Sequence, residues 1–404
     1  MRILQLCSKV PYPAKDGGCL AMINLAEMMY AKGFDVKILA METHKHPAPK
    51  DGFPKDFTNK FKPESIFIDT KVSRFPAIIN LFFSPKSFHL VRFKNQEFEK
   101  KLIQILHDYK PDIILLDSLF TCGYIDVLKL NTSAKIIYRA HNVEYVIWQE
   151  IAAKTKSFIK KTYLKVQSKR LQTEEMNAIK ICDGILAITA KDAQFFNTHF
   201  SSIKLMTLPF TVDVSSYKCE KNYQNKSLFY IGAMDWYPNL EGVNWFIDKV
   251  WPEVLKHHRD AMFYIAGKAM PKSLKNMEDK NIINMGEVID AKKFMEIAPV
   301  MIAPIFSGGG LKIKIIEAMA MGKIVVCNPQ ASTGIPVTAK KDVLLANSSK
   351  DFIHLINDIF NHLPKHKTIG ENARLLIEQH FNSASKATEL ELFLHAIHSN
   401  YTYK

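Results

Sequence analysis

Short apolar runs alternate with amphipathic segments of helix length along most of the chain. This alternation is typical of strands joined by crossover helices, and it predicts parallel β-sheets in an α/β protein. The first series of predicted strands comprises Ile3–Cys7, Asp35–Ala40, Ile113–Asp117, Lys135–Arg139 and Gly184–Thr189. The helices predicted in this half cover Leu20–Lys32, Asn95–Asp108 and a long stretch from about Ile147 to Ile181.

A second series of strands begins after Leu208–Asp213 and the polar stretch Lys218–Lys226, which together are typical of a linker. Its strands are predicted at Leu228–Ile231, Met262–Ala266, Val300–Pro304 and Ile324–Cys327. Two such series indicate two Rossmann-like domains, which we place at residues 1–208 and 209–382. We expect the two parallel sheets to face a central cleft and to bind ligands at the carboxyl ends of their strands.

The remaining residues, 383–404, are predicted to form a C-terminal helix. Leu390, Phe393, Leu394 and Ile397 recur at helical spacing, so this helix should have one apolar face, and we place it against the N-terminal domain. A chain of 404 residues that is 47% hydrophobic and 23% charged is long enough for two cores. Disorder as the main state is excluded.

Neither a membrane span nor a signal peptide is indicated. The longest apolar runs, Ala77–Phe83 and Pro299–Phe306, are far shorter than the roughly 18 residues that cross a bilayer. Met1–Leu4 continues directly into a strand pattern, so we expect a cytoplasmic protein. The six cysteines have neither disulfide-framework nor zinc-site spacing, and we expect buried, reduced thiols and no metal.

An excess of positive charge indicates an anionic partner. The 54 Lys and Arg against 40 Asp and Glu leave a net charge of +14, which attracts nucleic acid, lipid headgroups or phosphorylated small molecules. No nucleic-acid reader motif is present, so we expect no nucleic-acid partner. The basic clusters Lys45–Lys60 and Lys154–Lys169 fit either a solvated face or a surface resting on acidic lipid at the inner face of the cell membrane.

The first candidate motif is the glycine pair Gly17 and Gly18, which lies between the first predicted strand and helix. Glycines at a helix N-terminus let backbone N–H groups approach an anion, and the helix dipole favours negative charge there. The site would suit a diphosphate. The motif lacks the glycine spacing of the dinucleotide fingerprint and of the phosphate-binding P-loop, and an ordinary strand-to-helix turn remains an alternative.

The segment with the most candidate site residues is Ser307–Gly322, in which three glycines precede an apolar helix pattern. At about 100° per residue, Gly310, Lys314, Glu317 and Met321 share one face of this predicted helix. If that stripe faces the cleft, Lys314 can bind a phosphate and Glu317 can accept hydrogen bonds from ribose hydroxyls. The alternative is an internal ion pair between Lys314 and Glu317.

A third candidate is His141, directly after the strand predicted at Lys135–Arg139. Its position at a carboxyl end of the sheet would allow the imidazole to hydrogen-bond a sugar hydroxyl or a developing charge. A structural role for this histidine is the alternative.

Together these features resemble a retaining glycosyltransferase of family 4, which has the two-domain GT-B fold. The resemblance extends over nearly the whole chain. The segments that carry it are Asp16–Gly18, His141–Glu144, Tyr230–Asn239, Ile265–Lys268, Gly286–Val288 and Gly308–Gly322. Each segment alone is weak, and their order and spacing make the combination specific.

The resemblance implies that the second domain binds a nucleotide-sugar donor, with Glu317 on the ribose and the backbone near Glu287 and Val288 at the base. It also implies Gly17 and Gly18 near the diphosphate. The further donor-binding positions that it implies are Gly232, Gly267, Gly308, Gly309 and Gly310.

The same resemblance implies that His141 contacts the donor sugar and that transfer retains the anomeric configuration. It further implies that the reaction needs no metal and no cofactor besides the donor substrate. The leaving diphosphate would be stabilised by lysine and by helix N-termini.

Two departures from the family pattern stand out. Many members carry two glutamates eight positions apart, but the earlier position here is Gly309. Many also carry an arginine and a lysine for the diphosphate, where this chain has Ala233 or Met234, and Glu241. The usual cationic pair is therefore missing.

We infer that Lys314 takes over this role, with Lys312 as a second candidate. Lys312 would point to a different side if the helix has already begun there. The triple-glycine form with a lysine three residues before Glu317 resembles a subgroup of the family, so the departures do not by themselves indicate an inactive protein.

These observations favour a glycosyltransferase of the hexosyltransferase type that acts on a saccharide or lipid-linked acceptor in surface polysaccharide or glycolipid synthesis. One alternative is a nucleotide-sugar epimerase of the same shape, which would need a carboxylate-rich cleft. A non-catalytic sugar-nucleotide binder is another, favoured by Gly309. A nicotinamide oxidoreductase is disfavoured by the missing glycine fingerprint.

Overall fold

The structure is a computed structural model, which describes residues 1–14, 16–218, 226–274, 277–308 and 310–399. The chain folds into two compact units. The first comprises Met1–Pro209 together with the segment that starts at Ala384, and the second comprises Phe210–Ser383. Each unit is built on its own parallel β-sheet.

The first unit contains a seven-stranded sheet. Its strands are β1 (Arg2–Cys7), β2 (Asp35–Glu42), β3 (Glu64–Phe67), β4 (Ile113–Asp117), β5 (Lys135–Ala140), β6 (Gly184–Ala187) and β7 (Lys204–Thr207). They lie in the order β3-β2-β1-β4-β5-β6-β7, and neighbouring strands are parallel. In the register, Ile3 on β1 lies opposite Val36 on one side and Ile113 on the other. The sheet reverses direction of strand addition at β1, as in Rossmann folds.

Helices cover both faces of this sheet. They are α1 (Gly17–Ala31), α2 (Lys55–Phe61), α3 (Arg74–Phe83), α4 (Phe88–Val91), α5 (Gln96–Tyr109), α6 (Ile125–Asn131), α7 (Glu144–Lys154), α8 (Phe158–Ile181) and α9 (Ala190–His199). Successive residues of β1 enter different cores: Leu4 and Leu6 belong to one buried cluster, and Ile3 and Cys7 to the other. This alternation follows from the two-residue period of a strand, and it explains why the strands read as continuous apolar runs.

The second unit contains a six-stranded parallel sheet. Its strands are β8 (Ser227–Ile231), β9 (Met262–Ala266), β10 (Ile282–Gly286), β11 (Val300–Ala303), β12 (Ile324–Cys327) and β13 (Leu344–Leu345), in the order β10-β9-β8-β11-β12-β13. Its helices are α10 (Tyr237–Lys249), α11 (Trp251–His257), α12 (Ala291–Met295), α13 (Ile313–Ala320), α14 (Ser349–Asn361) and α15 (Leu363–His380). The strand order again reverses next to the first strand of the unit, between β8 and β11.

The last helix, α16 (Ser383–His398), packs in the first unit. Leu390, Leu394 and Ile397 belong to the same buried cluster as Ile3 of β1. Lys32 at the end of α1 donates a hydrogen bond to Thr388 over 2.7 Å. The apolar stripe of α16 therefore contributes to the core of the first unit, although the rest of that unit ends at Pro209 in the sequence.

The predicted α/β class with two Rossmann-like parallel sheets is confirmed. The prediction of one helix from about Ile147 to Ile181 is wrong, because the chain breaks between α7 and α8. Thr155 ends α7 in an extended conformation, and its hydroxyl donates to the Ile151 carbonyl over 2.7 Å. Side-chain hydroxyls that bond to nearby backbone compete with helix continuation, and Ser157 follows two residues later.

Four short strands were not predicted from the sequence: β3, β7, β10 and β13.

Five of the cysteines lie in described residues, where they are buried and form no disulfide, while Cys219 lies outside them. Most of the predicted linker Lys218–Lys226 also lies outside the described residues. Within the part of the chain that is described, no helix is both long enough and apolar enough to traverse a bilayer.

Candidate functional site

A glycine-containing turn leads from strand β11 into helix α13. Gly308 and Gly310 have backbone φ angles of +86° and +75°, a region that side chains other than glycine rarely adopt. A Cβ atom on Gly308 would also lie 2.7 Å from the indole of Trp236. Both glycines are therefore required by the local backbone. Gly309, the third predicted donor-binding glycine, lies outside the described residues.

Helix α13 begins later than predicted, at Ile313, and Lys312 occupies its N-cap position. The prediction that Gly310 and Met321 lie on the helix is therefore wrong, since Gly310 precedes the N-cap and Met321 is the C-cap. Glycines with positive φ favour a turn, and they delay the start of the helix. Lys314 and Glu317 remain on the helix, three residues apart and hence on neighbouring positions of one face.

Lys314 contacts two neutral side chains from other elements of the second unit. Its Nζ donates to the hydroxyl of Tyr230 on β8 over 2.7 Å and to Oδ1 of Asn239 on α10 over 2.8 Å. The Tyr230 hydroxyl in turn donates to the same Asn239 oxygen over 2.7 Å. Asn239 is held in place because its amide donates to the Ala233 carbonyl over 2.8 Å. Tyr230 and Asn239 are both buried.

Burial lowers the pKa of Lys314 well below its ordinary value, and the nearby charge of Lys312 lowers it further. Burial alone lowers the pKa of Lys312 to about 8. Among the described residues, the hydrogen-bond partners of the Lys314 ammonium group are neutral, and no carboxylate contributes to the shift of its pKa. Desolvating a cation without an anionic partner is costly, so an anionic ligand beside Lys314 would be stabilising.

Glu317 has a separate set of partners. Its Oε1 accepts a hydrogen bond from the hydroxyl of Tyr217 over 3.1 Å. Burial raises the pKa of Glu317, whereas the Tyr217 hydrogen bond and the charge of Lys292 act in the opposite direction. The Lys292 ammonium group lies 3.9 Å from the centroid of the Tyr217 ring and donates to Ser216 over 2.9 Å. Within the described residues, Lys314 and Glu317 do not form the internal ion pair that was the alternative interpretation.

The carboxyl ends of β8, β9 and β10 approach one another through glycines. The Gly232 N–H donates to the Ala266 carbonyl over 3.0 Å, and the Gly267 N–H donates to the Gly286 carbonyl over 2.7 Å. A Cβ atom on Gly267 would lie 1.8 Å from the Gly232 oxygen, so no larger residue could occupy this position without backbone movement.

Glu287 and Val288 follow directly after β10, where Glu287 is exposed and Val288 is half-buried. The predicted donor-binding residues of the second unit therefore share the carboxyl edge of its sheet. At this edge of the sheet the structure brings together Gly232, Gly267, Glu287, Val288, Gly308, Gly310, Lys312 and Lys314.

In the first unit, the predicted glycine pair opens α1 as expected: Gly17 and Gly18 are its first two residues. The N-cap is Asp16, whose carboxylate accepts hydrogen bonds from the Cys19 N–H over 2.9 Å and from Lys9 over 2.7 Å. Although burial opposes ionisation, hydrogen bonds with His46 and Lys9 hold the pKa of Asp16 well below its ordinary value. The anion at this helix N-terminus is therefore the carboxylate of Asp16.

One group of side chains in the described residues has metal-ligand geometry. Ligand atoms of Asp16, Cys19 and His46 all lie within 4.8 Å of one another. The Asp16 carboxylate already bonds to Lys9 and His46, each over 2.7 Å. Capping of α1 by Asp16 accounts for these contacts, and they do not require a bound ion.

His141 lies at the carboxyl end of the first sheet, directly after β5, and is held by a buried carboxylate. Its Nε2 is 2.5 Å from Oδ1 of Asp117, the last residue of β4. Gln5 donates to the other oxygen of Asp117 over 2.6 Å, and the Arg139 guanidinium lies 3.4 Å from it. Burial opposes ionisation of Asp117, but Arg139 and the His141 hydrogen bond outweigh it and lower its pKa.

An ionised Asp117 fixes the tautomer of the neutral imidazole. The carboxylate accepts, so Nε2 of His141 donates and Nδ1 retains its lone pair. The side chain is partly accessible, whereas Asp117 and Arg139 are fully buried. His141 can therefore present Nδ1 as a hydrogen-bond acceptor for a hydroxyl group.

The segment after His141 is stabilised by a buried acid from α8. Glu175 accepts hydrogen bonds from the backbone N–H groups of Glu144 over 3.1 Å and Tyr145 over 3.0 Å, at the start of α7. Burial raises the pKa of Glu175 to about 8 and that of Glu144 to about 6. These acids position the turn that carries His141.

Several residues of these clusters were not identified as site residues from the sequence. An acidic residue at the end of an otherwise apolar strand was an available signal for Asp117. Tyr230 and Asn239 bound a segment that carries the family resemblance, but no sequence signal paired them with Lys314, which lies 84 and 75 positions away. Tyr217, 100 positions from Glu317, likewise had no local signal.

The chain is similar to several known proteins. Residues 225–362, which include β8 to α14, match the family described as "Glycosyl transferases group 1". An uncharacterized protein of the cps region of Klebsiella pneumoniae is 23% identical over 393 residues, which cover 95% of this chain and 97% of that protein.

Among solved structures, the chain is similar to sucrose-phosphate synthase from Thermosynechococcus elongatus, with a TM-score of 0.72, 13% identity and coverage of 99% of this chain and 100% of that one. It is also similar to Anabaena HepE in complex with UDP-glucose, with a TM-score of 0.64, 13% identity and coverage of 98% and 100%. The two Rossmann-like parallel sheets therefore match those of GT-B glycosyltransferase structures, and a segment of the second unit matches the group 1 glycosyltransferase family.

Proposed function

We propose that the protein is a glycosyltransferase that takes a sugar from a nucleotide-sugar donor and transfers it to a saccharide or lipid-linked acceptor. The observation that carries this proposal is the half-buried Lys314, which has neutral hydrogen-bond partners and lies in the segment that matches the glycosyltransferase family. A desolvated cation next to a glycine turn and a helix N-terminus is suited to a diphosphate.

The donor would be held by the carboxyl edge of the second sheet. We place the diphosphate at Lys314, with Lys312 as the second cation and backbone N–H groups near Gly308 and Gly310 as further donors. As the bond to the sugar breaks, negative charge builds up on the diphosphate oxygen, and these groups stabilise it without a metal.

The nucleoside would occupy the neighbouring positions. We assign the ribose hydroxyls to Glu317, whose carboxylate can accept from two of them, and the base to the backbone at Glu287 and Val288. Gly232 and Gly267 keep the strand ends close to the ligand because they carry no side chain. Since the HepE structure contains UDP-glucose, uridine donors are the first to test.

In the first unit, we propose that His141 hydrogen-bonds a hydroxyl of the donor sugar through Nδ1, while Asp117 orients the ring. Such an acceptor would also favour the partial positive charge that develops on the sugar. The assignment of Gly17 and Gly18 to the diphosphate stays a prediction. The helix that they begin is capped by the carboxylate of Asp16.

The finer parts of the proposal concern reaction class and cellular role. We propose transfer with retention, as in family 4, of a hexosyl group and without a metal or further cofactor. The relative from a Klebsiella cps region supports a role in surface polysaccharide synthesis. We place the protein in the cytoplasm, in peripheral contact with the inner face of the membrane.

A second candidate is a non-catalytic binder of nucleotide sugars. Gly309, which stands where many family members have a glutamate, is the feature that favours it. Release of nucleoside diphosphate from a labelled donor by the purified protein, with a mixture of saccharide and lipid-linked acceptors, distinguishes the two. If the protein binds the donor but releases no nucleoside diphosphate with any acceptor, the result would support the non-catalytic binder.

The donor site is tested with Lys314→Ala and Glu317→Ala. We expect each variant to bind UDP and UDP-sugars at least about tenfold more weakly by calorimetry, because each loses a charged hydrogen bond to the ligand. Matched controls are Lys256→Ala and Glu253→Ala, since these residues form an exposed pair, also three positions apart, on α11 of the same unit. The assignment fails if both site variants retain the affinity of the unmodified protein for every nucleotide that it binds.

A further inference from the structure

Helix α3 exposes its apolar face. Phe75, Ile78, Ile79 and Phe82 recur at the spacing of one helix face, which in a surface helix normally packs on the core. Here all four are exposed, with Phe75 and Phe82 at 73% and 74%, and Phe83 at the end of the helix is 85% exposed. A contiguous exposed apolar face of this size marks an interaction surface.

On its opposite side α3 is held to α8 by hydrogen bonds. Asn80 is buried, and its side-chain oxygen accepts from Gln167 over 3.0 Å while its amide donates to the Lys86 carbonyl over 3.1 Å. Arg170 donates to the carbonyls of Asn80 and Leu81 over 3.1 and 2.8 Å. These directional bonds fix the rotation of the helix, so its outward apolar face does not result from loose packing.

The surrounding sequence is strongly basic. Residues 70–96 contain five Lys or Arg and no Asp or Glu, and residues 151–173, which include the start of α8, contain seven and none. Lys71 and Lys86, which flank α3, are exposed. The first residues of α8, Phe158 and Ile159, are exposed as well.

We propose that the apolar face of α3 docks on an anionic lipid bilayer. Its aromatic side chains would enter the boundary between headgroups and acyl chains, and the neighbouring lysines would bind anionic headgroups. Positive charge around the face opposes its pairing with a second copy of the same chain and favours acidic lipid. A ten-residue helix is too short to span a bilayer, so α3 would lie in the plane of the interface.

The proposal is tested by co-sedimentation with vesicles of phosphatidylcholine alone, and with vesicles that contain about one third phosphatidylglycerol. The inference rests on the peripheral membrane contact proposed above and assigns it to α3. No donor or acceptor is present, so its failure can be distinguished from failure of the transferase proposal. We expect binding to the anionic vesicles to fall by about tenfold or more in Phe82→Glu, because a carboxylate replaces an inserted ring. The matched control, Leu130→Glu, changes an exposed leucine on α6 of the same unit and should bind normally.

Charge is tested separately with Lys71→Glu combined with Lys86→Glu. We expect weaker binding to anionic vesicles and a smaller salt dependence, whereas Lys129→Glu, which changes an exposed lysine on α6, should have little effect. Circular dichroism and thermal melting verify that each variant folds. Should Phe82→Glu fail to fold, Phe83→Ser replaces it as the milder change.

Three results would overturn the proposal. The first is unchanged vesicle binding by a folded Phe82→Glu variant. The second is equal binding of the unmodified protein to neutral and anionic vesicles. The third is absence of vesicle binding together with a dimer in sedimentation experiments that Phe82→Glu dissociates, which would identify a second copy as the occupant.

Discussion

The two units surround a cation in different ways: Arg139 in the first unit is fully buried, and Lys314 in the second is half-buried. In the first unit, the fully buried Arg139 lies 3.4 Å from the buried, ionised Asp117, which also holds His141. In the second unit, Lys314 is surrounded by the neutral oxygens of Tyr230 and Asn239. The first cluster is balanced by the fold itself, whereas the second would gain from an added anion.

This difference indicates what each cluster is for. A charge that the fold compensates serves the protein's own structure and, through Asp117, the orientation of His141. A cation without a compensating carboxylate reduces stability, and its presence is explained if an anionic substrate provides the missing charge. The contrast therefore supports a donor site in the second unit, and it can be tested by removing one charge at a time.

The largest effect is expected from Asp117→Asn. The substitution leaves the Arg139 guanidinium buried without a counter-charge, which should cost about 3–5 kcal/mol of unfolding free energy. It also permits the amide to reorient the imidazole of His141, so transferase activity should fall. Denaturant unfolding measures the first effect, and Asp126→Asn, on an exposed acid of α6, is the control.

A double variant separates charge compensation from simple packing loss. Asp117→Asn combined with Arg139→Met should lose less stability than either single change, because neither charge remains unpaired. Additive losses in the double variant would contradict the view that these residues compensate one another.

An intermediate effect is expected from Lys314→Met, which removes the Lys314 cation with little change in side-chain volume. Tyr230 still donates to Asn239, so no buried polar group loses its only partner. We expect the unfolding free energy to stay the same or rise, while nucleotide affinity drops by about tenfold or more. A loss of stability as large as that in Arg139→Met would remove the distinction between the two units.

The smallest effect is a dependence of donor affinity on pH. Burial lowers the pKa of Lys312 to about 8 from its ordinary value of 10.5, so its charge is lost as the pH rises through about 8. We expect UDP affinity to fall by up to about tenfold between pH 7 and about pH 9. Calorimetry at several pH values measures it, and Lys312→Arg, which stays charged, should show a flatter profile.

The same shift makes an opposite prediction for stability. Between about 8 and 10.5 the unfolded chain binds more protons at Lys312 than the folded chain does, so the contribution of this residue to the free energy of unfolding increases with pH. A fall in this contribution over the same range, obtained from the difference between the unmodified protein and Lys312→Met, would show that the folded protein favours the charged form.

Much of the fold was predictable because it depends on neighbouring residues. Apolar runs located most strands of both sheets to within one or two residues, and their carboxyl ends located His141 and the Gly308–Gly322 segment. The start of α13 was mispredicted, because glycines that lie within an apolar pattern can belong to the turn or to the helix. The short strands β3, β7, β10 and β13 were missed because two to five residues carry little periodic signal.

The sequence by itself determined the α/β class and the position of the reactive residues at strand ends, since these follow from spacings of two to four residues. Only the tertiary structure decided which partner each residue meets: Asp117 for His141, Tyr230 for Lys314, and Gln167 for Asn80. Periodicity indicates which side of a helix is apolar, but contacts with distant segments determine which side is buried. For α3 those contacts are polar, and the apolar side faces outward.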